Sequence, residues 1–216
     1  MKNASLISPL KYATVANYSP RGSSELSVQS RDTCYRFKNG NADTLQQFAN
    51  YLRRQVATSA IFNDFFGPDV VLVPTPSSSL LVAGGLWPAR LIADELIRVG
   101  LAGVVTPYLQ RSYAINKSSN APQGSRPTVE DQYKSLVVNK PDVIPPKRIT
   151  IIDDVLTKGR TSFACALRLS EAFPTSQIRL FAPIRTQGLA PEITQRIEPA
   201  TGNITFDGYA DVNRHP

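Results

Sequence analysis

The sequence predicts an α/β fold with a mostly parallel sheet flanked by helices. The short run 69–73 (DVVLV) is apolar after its first residue and does not alternate with polar residues, which is typical of a strand covered on both faces, and the run 148–152 (RITII) is also mostly apolar. Other segments repeat apolar residues at intervals of three and four, which predicts helices. Strands that alternate with helices indicate parallel βαβ units.

The elements follow in order along the chain. A helix is expected over 42–66, with Asp43 or Thr44 as its N-cap, and Gly67-Pro68 ends it. A second helix follows the polar loop after residue 73 and ends near Val99, and a third covers 161–173. The expected strands are 33–37, 69–73, 103–108, 148–152, 177–183 and 203–206.

The length of 216 residues suits one domain. We expect an N-terminal segment over 1–45, a core over 46–185 and a C-terminal tail over 186–216. A Ser/Asn/Gly/Pro-rich stretch interrupts the core at about 111–131. Connections of this length inside a domain are usually lids or binding loops, or are disordered.

Composition narrows the classes of function. The net charge of +7 favours anionic partners such as phosphorylated metabolites or nucleic acid, although no long basic run is present. No stretch reaches the roughly 18 apolar residues of a membrane helix, and no signal peptide is expected. The single histidine, His215, excludes a His-based zinc site or catalytic triad. Two cysteines without metal-ligand spacing indicate reduced thiols and a cytoplasmic protein.

The most informative segment is 149–164 (ITIIDDVLTKGRTSFA), where two carboxylates directly follow an apolar strand. Ligands of such sheets bind beyond the carboxyl ends of the strands. The loop after Asp153 and Asp154 contains hydroxyls and a glycine and leads into a helix, which suits a phosphate. Carboxylates beside a phosphate make sense when the same ligand also carries hydroxyl donors. The segment therefore predicts a phosphorylated sugar, whereas a solvated turn with a helix cap is the simpler alternative.

Residues 149–161 resemble the phosphoribosyl pyrophosphate (PRPP) motif of type I phosphoribosyltransferases. The resemblance implies that Asp153 and Asp154 bind the ribose 2′- and 3′-hydroxyls. It also implies that the loop wraps the 5′-phosphate through Thr157, Lys158, Gly159, Arg160 and Thr161. Lys158 departs from the family, which usually has Thr or Ser there. The implied fold is a Rossmann-like core with a small variable hood, for which residues 1–45 or the tail are available.

Residues 70–96 resemble the pyrophosphate loop of the ComF-like branch of that family, in which a strand ends in Val-Pro-x-Pro. The loop residues are Pro74, Thr75, Pro76, Ser77 and Ser78, followed by Ser79. Inward backbone N–H groups and hydroxyls suit oxyanions. Residues 84–88 (GGLWP) replace the Arg-Gly-Phe-Asn-Gln of that branch, so the role of its Arg and Asn is not transferred. A plain surface loop is the alternative.

Residues 108–139 stand where type I enzymes carry a mobile loop that closes over pyrophosphate. Arg111, Lys117 and Arg126 are the basic residues that this resemblance makes candidates for catalysis. The alternative is a disordered basic loop without a catalytic role.

The resemblance implies an enzyme of nucleotide metabolism that transfers a phosphoribosyl group to a nitrogen acceptor and releases pyrophosphate. Mg²⁺ would be bound mainly through PRPP, with no dedicated protein metal site. The acceptor base is not readable, and a homodimer is implied by the family. The alternative is a non-catalytic PRPP or nucleotide sensor, or a DNA-associated accessory protein of the ComF type.

Overall fold

An eight-stranded sheet organises the molecule. The structure is a computed structural model that describes residues 9–116, 126–139, 144–187 and 191–216. The strands are β1 (Leu10–Tyr18), β2 (Gly67–Pro74), β3 (Ala102–Val105), β4 (Leu109–Arg111), β5 (Leu136–Val138), β6 (Arg148–Ile152), β7 (Val155–Leu156), β8 (Gln177–Thr186), β9 (Ile197–Phe206) and β10 (Val212–His215). The main sheet has the order β10-β9-β1-β8-β6-β2-β3, with β7 also paired to β8.

Most of the sheet is parallel. Strands β1, β8, β6, β2 and β3 pair in parallel in that order, and β9 and β10 add an antiparallel edge. The strands expected at 69–73, 148–152 and 177–183 are therefore confirmed as neighbours in a parallel sheet. The strand expected at 103–108 is found as β3, which is shorter. Strands β4 and β5 form a separate two-stranded hairpin.

Helices cover both faces of the sheet. They are α1 (Glu25–Lys38), α2 (Ala42–Thr58), α3 (Pro88–Arg98), α4 (Val129–Ser135) and α5 (Arg160–Ala172), with a 3-10 turn at Ala60–Phe62. On one face, α1, α2 and α3 enclose an aromatic core in which Phe66 packs edge-on against Phe181 of β8 at 5.0 Å. On the other face, Phe163 of α5 is fully buried. Among the described helices, none is long and apolar enough to cross a membrane.

The strand expected at 33–37 is wrong, because these residues belong to α1. Ser24 caps this helix by accepting a hydrogen bond from the Ser27 N–H. The buried residues Ser27, Ser30, Cys34 and Phe37 recur at intervals of three and four. Five residues are too few to show this period, which becomes visible only over the whole segment Glu25–Lys38.

The helix expected at 42–66 is confirmed in its first part only. Its N-cap is Asn41, whose side chain accepts from the Thr44 N–H, rather than Asp43 or Thr44. The helix ends at Thr58, and the chain continues through the 3-10 turn to Gly67. The buried Phe62, Phe65 and Phe66 keep an apolar spacing after the helix has ended.

The two ends of the chain contribute strands to the main sheet. Strand β1 lies between β8 and β9, so residues 10–18 are part of the core sheet rather than of a separate hood. Strand β9 extends the strand expected at 203–206 back to Ile197, and β10 follows it. The segment 191–216 is therefore structured beyond that one expected strand. Polar residues such as Thr14 and Asn17 are buried in β1, which obscures its apolar pattern.

Candidate functional site

The carboxyl ends of β2 and β6 lie side by side and bring two predicted loops together. Pro74 at the end of β2 pairs with Ile152 at the end of β6. Beyond this pair, the Thr75 N–H donates to the Ile152 carbonyl at 2.8 Å. Parallel pairing thus places the start of the 74–79 loop beside the acid doublet. These two segments are 78 positions apart in sequence and adjacent in the fold.

Asp153 is held by groups from three directions. The Thr75 hydroxyl donates to Oδ1 at 3.0 Å, and the Ser162 hydroxyl donates to Oδ2 at 2.6 Å. The Asp154 N–H also donates to Oδ1, at 3.0 Å. A carboxylate accepts about four hydrogen bonds, so Oδ2 keeps capacity for one more donor. Ser162 lies one position beyond the motif identified in the sequence and was not among the predicted site residues.

Asp154 is half-buried beside Asp153. Its Oδ1 accepts from the Val155 N–H at 2.8 Å, and its Oδ2 accepts no hydrogen bond from the described part of the chain. Burial raises the pKa of Asp154 to about 7, and the charge of Asp153 adds to this effect. Lys38, near the end of α1, acts in the opposite direction. Neither aspartate forms a salt bridge with a described residue, so both carboxylates are available to a ligand that donates hydroxyls.

The 157–161 turn has the shape expected of an anion cradle. Gly159 has a φ of 92°, a left-handed conformation that favours glycine. A Cβ at this position would lie 2.5 Å from Ile204 Cδ1. The first N–H groups of a helix have no partners within the helix. Helix α5 begins at Arg160 without a side-chain cap, so no N-cap side chain accepts from these N–H groups either. The hydroxyls of Thr157 and Thr161 form no hydrogen bond with any other described residue.

The two basic residues of this turn already have a partner. Asp211, which precedes β10, accepts from Lys158 Nζ at 2.6 Å and from Arg160 Nε at 2.6 Å. The Arg160 guanidinium and the Lys158 ammonium hold the pKa of Asp211 well below its usual range. No local pattern in the sequence indicates Asp211, because its partners lie about fifty positions away. The structure therefore shows Lys158 and Arg160 paired within the protein.

The 74–79 loop is fixed to the framework through its carbonyl groups. Trp87 Nε1 donates to the Thr75 carbonyl at 2.7 Å. Arg111 Nε donates to the Ser77 carbonyl at 3.1 Å, and the Ile115 N–H donates to the Ser78 carbonyl at 2.8 Å. The bond from Trp87 therefore helps to hold the loop in place.

The three basic candidates from 108–139 have different environments. Arg111 is the last residue of β4 and is buried, so it is fixed in the hairpin rather than carried by a mobile loop. Arg126 is exposed shortly before α4. Lys117 lies outside the described residues. Of these candidates, the structure therefore describes one buried arginine and one exposed arginine.

The cysteines are free and buried. Burial raises the pKa of Cys34 to about 11 and that of Cys165 to about 12, so both thiols are protonated at neutral pH. In the described ranges, no three His, Cys, Asp or Glu residues converge as a metal site. The chemistry of this edge thus comes from two carboxylates, hydroxyls and backbone N–H groups.

No protein-family model and no curated protein sequence matches the chain. Among solved structures, the chain resembles a hypoxanthine phosphoribosyltransferase from Staphylococcus aureus, with 14% identity and a TM-score of 0.38 over 70% of this chain and 68% of that one. It also resembles a purine phosphoribosyltransferase from Pyrococcus horikoshii, with 12% identity and a TM-score of 0.33 over 65% of this chain and 82% of that one. For an adenine phosphoribosyltransferase from Leishmania tarentolae, the identity is 16% and the TM-score is 0.35 over 75% of this chain and 88% of that one. All three identities lie below 25%, and all three TM-scores lie below 0.5.

Proposed function

We propose that the protein binds PRPP or a related phosphorylated ribose at the carboxyl edge of β2 and β6 and transfers its phosphoribosyl group to a nitrogen acceptor. One observation carries this proposal: the 74–79 loop, the acid doublet and the 157–161 turn adjoin one another, with Thr75 and Ser162 both bonded to Asp153. This arrangement places N–H and hydroxyl groups that can donate to phosphate oxygens on both sides of two carboxylates that can accept from sugar hydroxyls.

The acid doublet suits the ribose ring. Oδ2 of Asp153 and Oδ2 of Asp154 each have capacity for a further donor, which matches the two vicinal hydroxyls of a ribose. Thr75 and Ser162 hold Asp153 in place before the ligand arrives, which lowers the entropic cost of binding. The sugar would therefore meet a preorganised acceptor pair.

The turn before α5 suits the 5′-phosphate. The unpaired N–H groups at the start of a helix attract anions, and Thr157 and Thr161 add hydroxyl donors. Lys158 and Arg160 share Asp211, so the cradle depends mainly on backbone and hydroxyl donors. The negative charge of Asp211 beside the turn would weaken the binding of small anions that lack the sugar hydroxyls.

The reaction needs no strong protein nucleophile. Cleavage of the C1–O bond develops positive charge on the ribose and negative charge on the leaving pyrophosphate, which oriented donors in the 74–79 loop would stabilise. Arg126 and Lys117 remain proposed cations for the leaving group. Mg²⁺ would enter with PRPP and reduce the charge of the pyrophosphate, and the oxygens of Asp153 and Asp154 are ligands of the type it prefers.

The ComF-like assignment, a cytoplasmic location and a homodimer belong to this proposal as well. The Val-Pro-Thr-Pro sequence at the end of β2 supports the ComF-like assignment.

A non-catalytic sensor of PRPP is the second candidate, because the same arrangement of donors and acceptors would serve binding without transfer. DNA binding would show as a steep dependence of affinity on salt.

The test is incubation of labelled PRPP with Mg²⁺ and a panel of nucleobases. Formation of nucleotide and pyrophosphate is expected, and PRPP binding without turnover would favour the sensor. Replacing Asp153→Asn together with Asp154→Asn should abolish PRPP binding and leave the circular dichroism spectrum unchanged. The matched control is Asp64→Asn with Asp69→Asn, two aspartates that pair with Lys11 and Arg148 elsewhere. An unchanged PRPP dissociation constant in the doublet variant would refute the assignment.

A further inference from the structure

Arg111 has an unusual environment for a charged residue. It is only 8% exposed, and its guanidinium donates to the Gln132 side-chain oxygen at 2.6 Å, to the Gln132 carbonyl at 3.3 Å and to the Ser135 hydroxyl. Its fourth partner is the Ser77 carbonyl at 3.1 Å. All four acceptors are neutral. Arg111 has no salt bridge with any residue that the structure describes.

A buried cation without a carboxylate partner carries a desolvation cost that neutral acceptors offset only in part. Burial accordingly lowers the pKa of Arg111, and the charge of Asp153 acts in the opposite direction. The excess positive charge lies directly against the 74–79 loop. An anion bound on that loop would supply the missing negative charge.

The bond from Arg111 also sets the direction of the loop's donors. In a planar trans peptide, the carbonyl of one residue and the N–H of the next point in opposite directions. Because Arg111 holds the Ser77 carbonyl, the Ser78 N–H points away from the hairpin. The Ile115 N–H holds the Ser78 carbonyl in the same way, which turns the Ser79 N–H outward. Neither N–H donates a hydrogen bond to any residue within the described ranges.

We infer that Arg111 is a positioning residue for the leaving group, which aims the Ser78 N–H at the pyrophosphate of PRPP and places an uncompensated positive charge behind the loop. This inference rests on the proposed function and assigns Arg111 a task different from that of a mobile lid cation. Arg111 acts through the loop and through its field, without touching the ribose or its 5′-phosphate. It therefore discriminates PRPP from ribose 5-phosphate.

Two variants separate the effect of the positive charge of Arg111 from the effect of its hydrogen bond to the Ser77 carbonyl. Gln132→Glu keeps an acceptor for Arg111 and gives it a carboxylate partner, so the bond to Ser77 stays while the charge is neutralised. Arg111→Lys keeps the charge but loses the planar fork that reaches Ser77 and Gln132 together. The control is Arg148→Lys, at the opposite end of the sheet, where Arg148 pairs with Asp69.

Calorimetric titration with PRPP, pyrophosphate and ribose 5-phosphate, each with Mg²⁺, gives the readout. For Gln132→Glu we expect affinity for PRPP and pyrophosphate to fall at least fivefold, with ribose 5-phosphate affinity within twofold of the wild type and no loss of melting temperature. Arg111→Lys should show the same selectivity with at least a tenfold fall, and Arg148→Lys should show neither effect.

Equal losses for all three ligands in Gln132→Glu would reduce Arg111 to general support of the fold and overturn the inference. Unchanged affinity for pyrophosphate in both variants would do the same. If the wild-type protein binds ribose 5-phosphate and both variants keep the wild-type ratio of PRPP affinity to ribose 5-phosphate affinity, only this inference fails. If the wild-type protein binds none of the three ligands, the proposed function fails and takes the inference with it.

Discussion

Asp211 accepts hydrogen bonds from the Arg160 guanidinium through both carboxylate oxygens, each at 2.6 Å. Lys158 adds a third bond to the same carboxylate. The turn that presents Asp211 is ordered by Asp207, whose Oδ1 accepts from the backbone N–H groups of Tyr209, Ala210 and Asp211. A residue near the C-terminal edge strand therefore sets the charge of the proposed phosphate cradle.

Replacing Asp211→Asn should tighten binding of ribose 5-phosphate about three- to tenfold. The change removes a negative charge near the bound phosphate and releases Lys158 and Arg160, which is worth roughly 1 kcal/mol for partly exposed groups. The measurement is calorimetric titration at low and physiological salt, with a smaller gain at higher salt. Asp64→Asn has the same change in net charge away from this edge and serves as the control. Weaker binding in Asp211→Asn would show that Asp211 positions Arg160 for the phosphate.

Asp154 should make stability depend on pH near neutrality. Its pKa is raised to about 7 in the folded protein, so between about pH 4 and 7 the folded state holds a proton that the unfolded chain has lost. The free energy of unfolding contributed by this group therefore falls as pH rises through that window. Asp154→Asn should be more stable than the wild type by on the order of 2 kcal/mol at pH 8 and equal to it near pH 4.

Urea unfolding at pH 4.5, 6, 7 and 8 measures this difference. Asp64→Asn is the control, because a hydrogen bond from Lys11 lowers the pKa of Asp64 and its titration lies below this window. A stability difference between Asp154→Asn and the wild type that does not change from pH 4.5 to 8 would contradict the assignment.

Gly159→Ala should disturb the cradle more than the same change elsewhere. Both Gly159 and Gly208 have positive φ, at 92° and 87°, so an alanine costs about 1 kcal/mol at either position. Only at Gly159 does the new methyl group also meet a neighbour, Ile204. We expect Gly159→Ala to lose about 1–3 kcal/mol of stability and most of its phosphate affinity. Equal melting temperatures and equal affinities for Gly159→Ala and Gly208→Ala would be inconsistent with this geometry.

Ser162→Ala should weaken ribose binding with little effect on the fold. The variant removes the 2.6 Å bond that fixes Oδ2 of Asp153, and bonds to charged groups contribute roughly 1.5–3 kcal/mol. A tenfold or greater loss of PRPP affinity is expected by calorimetry. Ser170→Ala is matched, because Ser170 lies on the same helix and bonds only to the Leu167 carbonyl. Its PRPP affinity should equal that of the wild type, and a loss in both variants would point to a general effect on α5.

The sequence was sufficient where a local pattern decided the structure. Strand β2 contains the apolar run 70–73 and β6 is mostly apolar, so the acid doublet after β6 could be placed at a sheet edge from the sequence pattern. Strand β1 was missed because Thr14 and Asn17 interrupt its apolar pattern. The Asn17 amide nitrogen donates to Glu198 and the Thr14 hydroxyl accepts from Arg185, and both partners lie far away in sequence.

The same reason explains which site residues were missed. The bond from Ser162 to Asp153 joins neighbours along the chain, so the pattern at 149–161 came within one residue of it. Asp211 and the environment of Arg111 depend on contacts between segments that no periodicity relates. The composition of 108–139 indicated a basic loop, whereas the hairpin of β4 and β5 holds its first arginine inside the protein.

The parallel pairing of β1 with β8 has a consequence for how the chain folds. Tyr12 lies opposite Leu180, so this pairing forms only after the chain has been synthesised through β8. Pairings between such distant segments form slowly and leave strand edges unprotected meanwhile. During synthesis β1 would therefore stay unpaired with β8 until β8 has been made, and the folding yield in cells should depend on chaperones that shield β1.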